Sequence, residues 1–323
     1  MRRVLPLAWV AVVVAGSSCV DLTRPKADGG GGRDGGADEP TLSDGGVNDG
    51  DEEPIADALP EASVEGGRDT GADAEVCPTL SNGLVGYWKL DESSSSGVAA
   101  DSSGMGNDGQ IMGSPGRVTS GLPPLSFSDP RAFSFAGQSD TDDGISIPDS
   151  ASLRPAAISI ALWVKFASLM ASSTCGAADS QSQYIVERRN SRGSQGKFEA
   201  VALIKQADGT ITFLLSSDDG LQAFATSKTG LTTADVGKWF HIVGTYDGST
   251  QMQMFVNGVL ERTIPYTTPI AYDPSWPFFI GRTGECPNGA AWDARLKGTL
   301  DDVRVYNRAL TACEVARLAA GGD

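Results

Sequence analysis

From Leu84 onward, apolar residues recur at alternate positions in short runs. The runs fall at Leu84–Leu90, Ile158–Phe166, Tyr184–Arg188, Phe198–Ile204 and Thr210–Leu215. Leu221–Thr226, Trp239–Tyr246, Gln251–Val256 and Phe278–Ile280 follow. A period of two places one face of each segment in a core and the other outside it, the signature of half-buried strands. Asp208-Gly209, Asp219-Gly220, Asp247-Gly248 and Asn257-Gly258 punctuate the runs, and each pair favours a tight hairpin. Helical periodicity is confined to Leu310–Ala320. The pattern predicts an all-β domain, one large antiparallel two-sheet sandwich with a short C-terminal helix.

The final strand carries the sharpest chemical question. In Lys297–Tyr306, Asp301 shares parity with Val303 and Val305, so alternation points its carboxylate inward and Asp302 outward. An inward carboxylate is costly without a positive partner, and no obvious Arg or Lys stands beside it. A bound cation is the first explanation. The stretch Asp101-Ser102-Ser103-Gly104-Met105-Gly106-Asn107-Asp108-Gly109 could provide further hard oxygen. Its glycines let the backbone curl and turn carbonyls inward. Calcium accepts such ligands, and the lack of nearby His or Cys disfavours zinc and copper. A surface turn satisfied by its own Asx side chains remains the alternative.

Ahead of the strands the pattern is different. Met1 to Ser18 has a basic Arg2-Arg3 start and an apolar run from Val4 to Ala15, as a targeting segment does. Gly16-Ser17-Ser18-Cys19 resembles a bacterial lipobox, in which Cys19 would be lipidated, although Gly16 stands where an aliphatic residue is usual. Ordinary secretion is the alternative. Residues 19–76 read as a disordered Gly/Asp/Glu/Pro-rich tether to a domain spanning 77–323. Between Val20 and Val76, 16 acidic residues stand against 4 basic ones, so most of the net charge of −16 belongs to this stretch. The acidic balance argues against nucleic acid. Besides Cys19 there are Cys77, Cys175, Cys286 and Cys313, none in a C-x-x-C pair; behind an export signal they read as two disulfides. The expected location is the bacterial cell envelope, outside the cytoplasm, with membrane contact through the lipid anchor only.

Several segments in order carry a family resemblance. They are Gly83–Glu92, the Asp101–Gly109 loop, Phe133–Gly137, Ile145–Pro148, Ser159–Lys165, Trp239–Gly248, Phe255–Gly258 and the last strand. Together they resemble the bacterial laminin-G-like domain of the concanavalin A-like lectin/glucanase superfamily. The resemblance implies a jellyroll of two antiparallel sheets and a structural calcium. Carried over by position, the implied ligands are the side chains of Asp101, Asn107 and Asp301 and the carbonyl of Gly109. Met105 stands where the family often has Asn. Neighbouring terminal strands in such a jellyroll imply a Cys77–Cys313 disulfide, which leaves Cys175 with Cys286.

The superfamily includes glycoside hydrolases, which need two carboxylates across the scissile bond. The Glu-x-Asp-x-(x)-Glu strand of its endoglucanases is absent. Glu187 and Glu199 are the remaining pair, expected as polar positions facing out of the sheet. His241 is the single histidine and no G-x-S-x-G elbow accompanies it; a packed, hydrogen-bonded role is expected. The chain reads as non-enzymatic. Domains of this shape bind carbohydrate or protein, and the loop from Tyr266 to Trp292 offers Tyr272, Trp276 and Trp292 as ligand-binding aromatics. The expectation is a calcium-stabilised lectin-like module, with an envelope structural or protein-adhesion module as the alternative and a degenerate glycosidase behind both.

Overall fold

A computed structural model describes residues 77–137, 142–170, 181–190, 199–283 and 294–323. The expected targeting segment, Cys19, the tether, Cys175, Cys286 and Trp292 lie outside the described residues.

In chain order the strands are β1 (Leu84–Trp88), β2 (Val98–Ala99), β3 (Gly109–Met112), β4 (Gly116–Val118), β5 (Ala132–Ala136), β6 (Gly144–Ile147), β7 (Ile158–Phe166) and β8 (Gln183–Arg189). Then come β9 (Glu199–Lys205), β10 (Ile211–Ser216), β11 (Gln222–Thr226), β12 (Trp239–Tyr246), β13 (Gln251–Val256), β14 (Val259–Pro265), β15 (Phe278–Ile280) and β16 (Lys297–Tyr306). One sheet runs β14-β13-β12-β7-β16-β5-β4, with β1 also paired to β16. The other runs β11-β10-β9-β8-β15-β6-β3-β2. Every strand pairing described within the sheets is antiparallel.

Alternation builds the core. Ile158, Ile160, Leu162 and Val164 of β7 meet Ile145 and Ile147 of β6, Phe213 of β10 and Ile280 of β15 between the sheets. Gly244 is needed in β12, because a Cβ there would stand 2.4 Å from the Phe213 ring. On the outer face of the first sheet, Ala161, Val243, Phe255 and Tyr306 are covered by Leu310, Val315 and Leu318. The last two belong to the helix α1 (Ala312–Ala319). It starts later than the apolar pattern suggests because Thr311 caps it: Glu314 N donates to Thr311 Oγ1 at 3.3 Å and Thr311 N donates to Glu314 Oε2 at 2.8 Å. The short strands β2, β3 and β4 and the whole of β14 carry too little alternation to stand out in the sequence.

Strand β16 is the central element of its sheet, and it changes partner half-way. Lys297–Leu300 pair with β5, and Val303–Tyr306 pair with β1. Along its other edge, the register with β7 shifts between Asp301 and Arg304. The shift is a bulge at Asp302, whose φ is 51°. It corrects the simple alternation. Asp301 pairs with Trp163, on the outer face with Ala161, while Val303 and Val305 remain in the core. Asp302, expected to face outward, is buried beside Arg304.

The disulfide Cys77–Cys313 joins the segment before β1 to α1, with a Cα–Cα separation of 5.7 Å and a sequence separation of 236. It constrains nearly the whole domain in the unfolded state. Replacing both cysteines by alanine should lower unfolding free energy by about 2–5 kcal/mol. Denaturant titration of the oxidised protein and the double variant checks this; coincident midpoints would contradict it.

Candidate functional site

The partner change of β16 leaves a seam between β1 and β5, and acids from three segments meet there. Asp91 follows β1, Asp129 precedes β5, and Asp301 lies on β16 between them. Arg131 ties the first two segments together: its backbone N donates to Asp91 Oδ1 at 3.0 Å and its Nη1 to the Asp91 carbonyl at 2.9 Å. The segment before β5 is laced across the outer face of the sheet. Gly121 O accepts from Lys165 Nζ at 2.9 Å and from Trp239 Nε1 at 2.7 Å. Ser126 N donates to Gly321 O at 2.8 Å. This covering shields Asp301, which is 0% exposed.

Its carboxylate is incompletely satisfied. Oδ1 accepts from Asp302 N at 3.0 Å, but Oδ2 has no hydrogen-bond partner, nor does either oxygen of Asp129. Burial, then the charges of Asp129, Asp302 and Asp91, push the Asp301 carboxyl up to about 10. Burial, then the neighbouring Asp91 carboxyl, raise Asp129 to about 8. The backbone is strained at the same place. Leu90 (φ 59°), just after β1, and Asp302 (φ 51°), in β16, are non-glycine residues in the left-handed region.

The Asp101–Gly109 loop lies elsewhere. Asp101 bridges to Trp88 along β1. Its Oδ1 accepts from Tyr87 N at 2.9 Å and Ser103 N at 2.8 Å; its Oδ2 accepts from Ser103 Oγ and Asn107 N, both at 2.8 Å. Four donors leave this carboxylate no deficit. Asn107 Oδ1 accepts from Ser150 Oγ at 2.6 Å, and its Nδ2 donates to Val85 O at 2.6 Å. Gly109 is in β3, paired with Ala99 of β2. The structure therefore joins Asp101 to Asn107 but does not bring this loop to Asp301. β1 pairs with β16 and also bridges to Asp101, so it stands between them. Asp91 and Asp129 are the residues the sequence reading missed. The acidic pair Asp91-Glu92 after β1 is visible in the sequence, but nothing local shows that β16 switches partners there.

A second polar cluster lies on β8 and β9. Glu187 and Glu199, expected to face solvent, are 2% and 8% exposed. Glu199 Oε1 accepts from Tyr184 Oη at 2.5 Å, and Arg189 Nε stands 4.0 Å from Glu187 Oε1. Burial, followed by the charges of Glu199 and Glu187, raises the Tyr184 phenol well above its ordinary value. Arg189 also lies over the half-exposed Trp276 ring at 4.4 Å. Tyr272 packs against the core with Arg188 over its ring at 5.4 Å. Of the two candidate aromatics among the described residues, Trp276 is the better placed to reach a ligand. His241 is buried against Trp163 at 5.1 Å, and burial followed by Arg304 lowers it to about 3, which keeps it neutral near pH 7. Its packing is as expected, but Nδ1 has no hydrogen-bond partner.

Residues 139–316, more than half of the chain, match the family model of the concanavalin A-like lectin/glucanases superfamily. The chain belongs to this superfamily. Among solved structures, domain 4 of AbnA, a GH43 extracellular arabinanase from Geobacillus stearothermophilus, in complex with arabinotriose, superposes with a TM-score of 0.52 at 20% identity. That match covers 73% of this chain and 98% of the domain. The binding domain of Paraclostridial Mosquitocidal Protein 1 gives 0.55 at 15% identity, and that of botulinum neurotoxin DC with rat synaptotagmin II gives 0.53 at 13%. Each covers 75% of this chain, which spans about half (52%) of either toxin domain. At these identities the superposition establishes the fold. No curated protein matches the sequence. Among the described residues no helix is long and apolar enough to cross a membrane.

The raised carboxyls give the metal-free domain a definite pH response. Asp301 and Asp129 hold protons in the folded state that they release on unfolding. Their contribution is complete below about pH 4 and is lost as pH rises toward 8–10. In chelator, the melting temperature should fall between pH 5 and pH 8, and Asp301→Asn should flatten that fall. Identical slopes for the two proteins would contradict the assignment.

Proposed function

We propose that the domain is a surface-tethered, calcium-stabilised, lectin-like module that binds carbohydrate and performs no chemistry on it. The superfamily fold, shared with a domain solved with arabinotriose, supports the binding role. The observation that carries calcium is the buried Asp301 carboxylate, with Oδ2 unpartnered beside the two unpartnered oxygens of Asp129. The donors are hard oxygens, which suit calcium. Among the described residues no group of three or more acidic, histidine or cysteine side chains is already placed to hold a metal ion, so these carboxylates would have to draw together on binding. Asp91, Asp129 and Asp301 would be the protein's carboxylate ligands, with carbonyl and water oxygen completing the shell. Bound calcium supplies positive charge that offsets three crowded carboxylates, and so fastens β1 and the segment before β5 to β16.

Carbohydrate recognition centres on Trp276. Its partly exposed ring offers a face for sugar C–H surfaces, and Arg189 and Asp273 supply polar groups nearby. Glu187 and Glu199 are engaged by Arg189 and Tyr184, which favours a binding role over the paired acid and nucleophile of a glycosidase. A protein-adhesion module without a sugar site is the second reading, because the same fold serves the toxin domain solved with synaptotagmin.

Two measurements follow. On a glycan array, wild-type protein should give a signal that Trp276→Ala reduces about tenfold or more. An array with no signal, combined with capture of an envelope protein, would favour adhesion. Calcium added after chelation should raise the melting temperature at pH 8 more than at pH 5. An equal response at both would contradict carboxylate ligation at the seam.

A further inference from the structure

The disulfide-linked ends of the domain border a half-open cleft of about 460 Å³ on the outer face of the first sheet. That is within the ~300–1,000 Å³ typical of small-ligand sites. Its charge is opposite to that of the chain. Lys89, Arg304 and Arg317 line it in a protein of net charge −16. Arg304 forms the floor and is 1% exposed. Its Nη2 donates to Tyr87 Oη at 3.0 Å, to Asp302 Oδ1 at 3.1 Å and to Asp323 Oδ1 at 3.1 Å. Arg317 Nη2 donates to the Asp323 carbonyl at 2.6 Å.

Asp302 is a buried partner built into the bulge, but Asp323 is not. Its side chain is 59% exposed, so the attraction that holds it is largely screened by water. A carboxylate therefore already rests on the arginine floor, in a position from which a stronger competitor could displace it. Without Asp323, three cations would face one carboxylate, Asp302. Guanidinium groups are suited to carboxylates through directed, charge-assisted hydrogen bonds. The rest of the lining fits a sugar ring: the exposed Ser81 and Ser102 carry hydroxyls, and Leu84 adds an apolar edge.

We infer that this cleft is a second ligand site, which takes the carboxylate of a uronic acid residue in the place held by Asp323. The inference rests on the carbohydrate-binding reading but uses a different surface from Trp276. Asp323 would act as an internal competitor that lowers affinity for isolated acidic sugars.

The test is calorimetric titration of the full chain with glucuronate, galacturonate, glucose and acetate. Both uronates should bind, and glucose and acetate about tenfold or more weakly. Arg317→Ala and Lys89→Ala, both away from the buried Arg304–Asp302 pair, should each weaken the uronates. Asp323→Asn should strengthen them, and Trp276→Ala should leave them unchanged. Equal affinity for glucose and glucuronate, or acetate binding as tightly as the uronates, would overturn the inference. So would uronate binding that is indifferent to Arg317 and Asp323. Neutral glycan binding lost in Trp276→Ala, with no uronate binding at all, would overturn the cleft while leaving the module reading intact. Absence of any sugar binding would overturn both.

Discussion

Everything at the edge of the sandwich depends on how β16 satisfies two partners. A strand that pairs with β5 along one half and β1 along the other must bridge the gap between them, and a bulge at Asp302 does so. The bulge has two electrostatic consequences. It turns Asp302 toward Arg304, forming a buried pair at 3.1 Å that the sheet can tolerate. It also directs Asp301 to the outer face among carboxylates, where its Oδ2 has no hydrogen-bond partner and Lys165 is a cation whose charge reaches it. Like charges crowded in a covered site are unfavourable. Proton uptake relieves them at low pH, and a divalent cation would relieve them at higher pH.

The same geometry organises both candidate ligand regions. On one side of the bulge, Arg304 becomes the floor of the basic cleft enclosed by Lys89, Arg317 and Asp323. On the other, the acids gather at the seam. A single register shift thus separates positive from negative on the outer face of one sheet. The second sheet contributes the Trp276 and Arg189 surface, farther along the chain and independent of the bulge. The Cys77–Cys313 bond holds the cleft's walls, since Thr79–Ser81 and α1 border it.

Much of the architecture was legible in alternation. β7, β12, β13 and β15 begin and end where the apolar runs do, because one face of each lies in the core between the sheets. The helix was legible to within a turn. The site was legible in part. Asp301 announced itself as a carboxylate out of place, and burial agrees. Its direction and its neighbours were not legible, for one physical reason. Strand parity assumes an unbroken ladder, and the bulge is made by an Asp in the left-handed region with no glycine to mark it. The Asp101 loop attracted attention by composition, yet its oxygens are already occupied by Tyr87, Ser103 and Asn107. Glu187 and Glu199 were placed outside because sheet faces are commonly polar; Tyr184 and Arg189 make their burial affordable.

We propose that a cation binds at the seam and not at the Asp101 loop. Calcium titration calorimetry on wild type, Asp129→Asn and Asp101→Asn tests it most directly. One calcium per chain is expected in wild type, retained in Asp101→Asn and lost in Asp129→Asn. Loss in Asp101→Asn with retention in Asp129→Asn would contradict it, as would no calcium uptake by the wild-type protein.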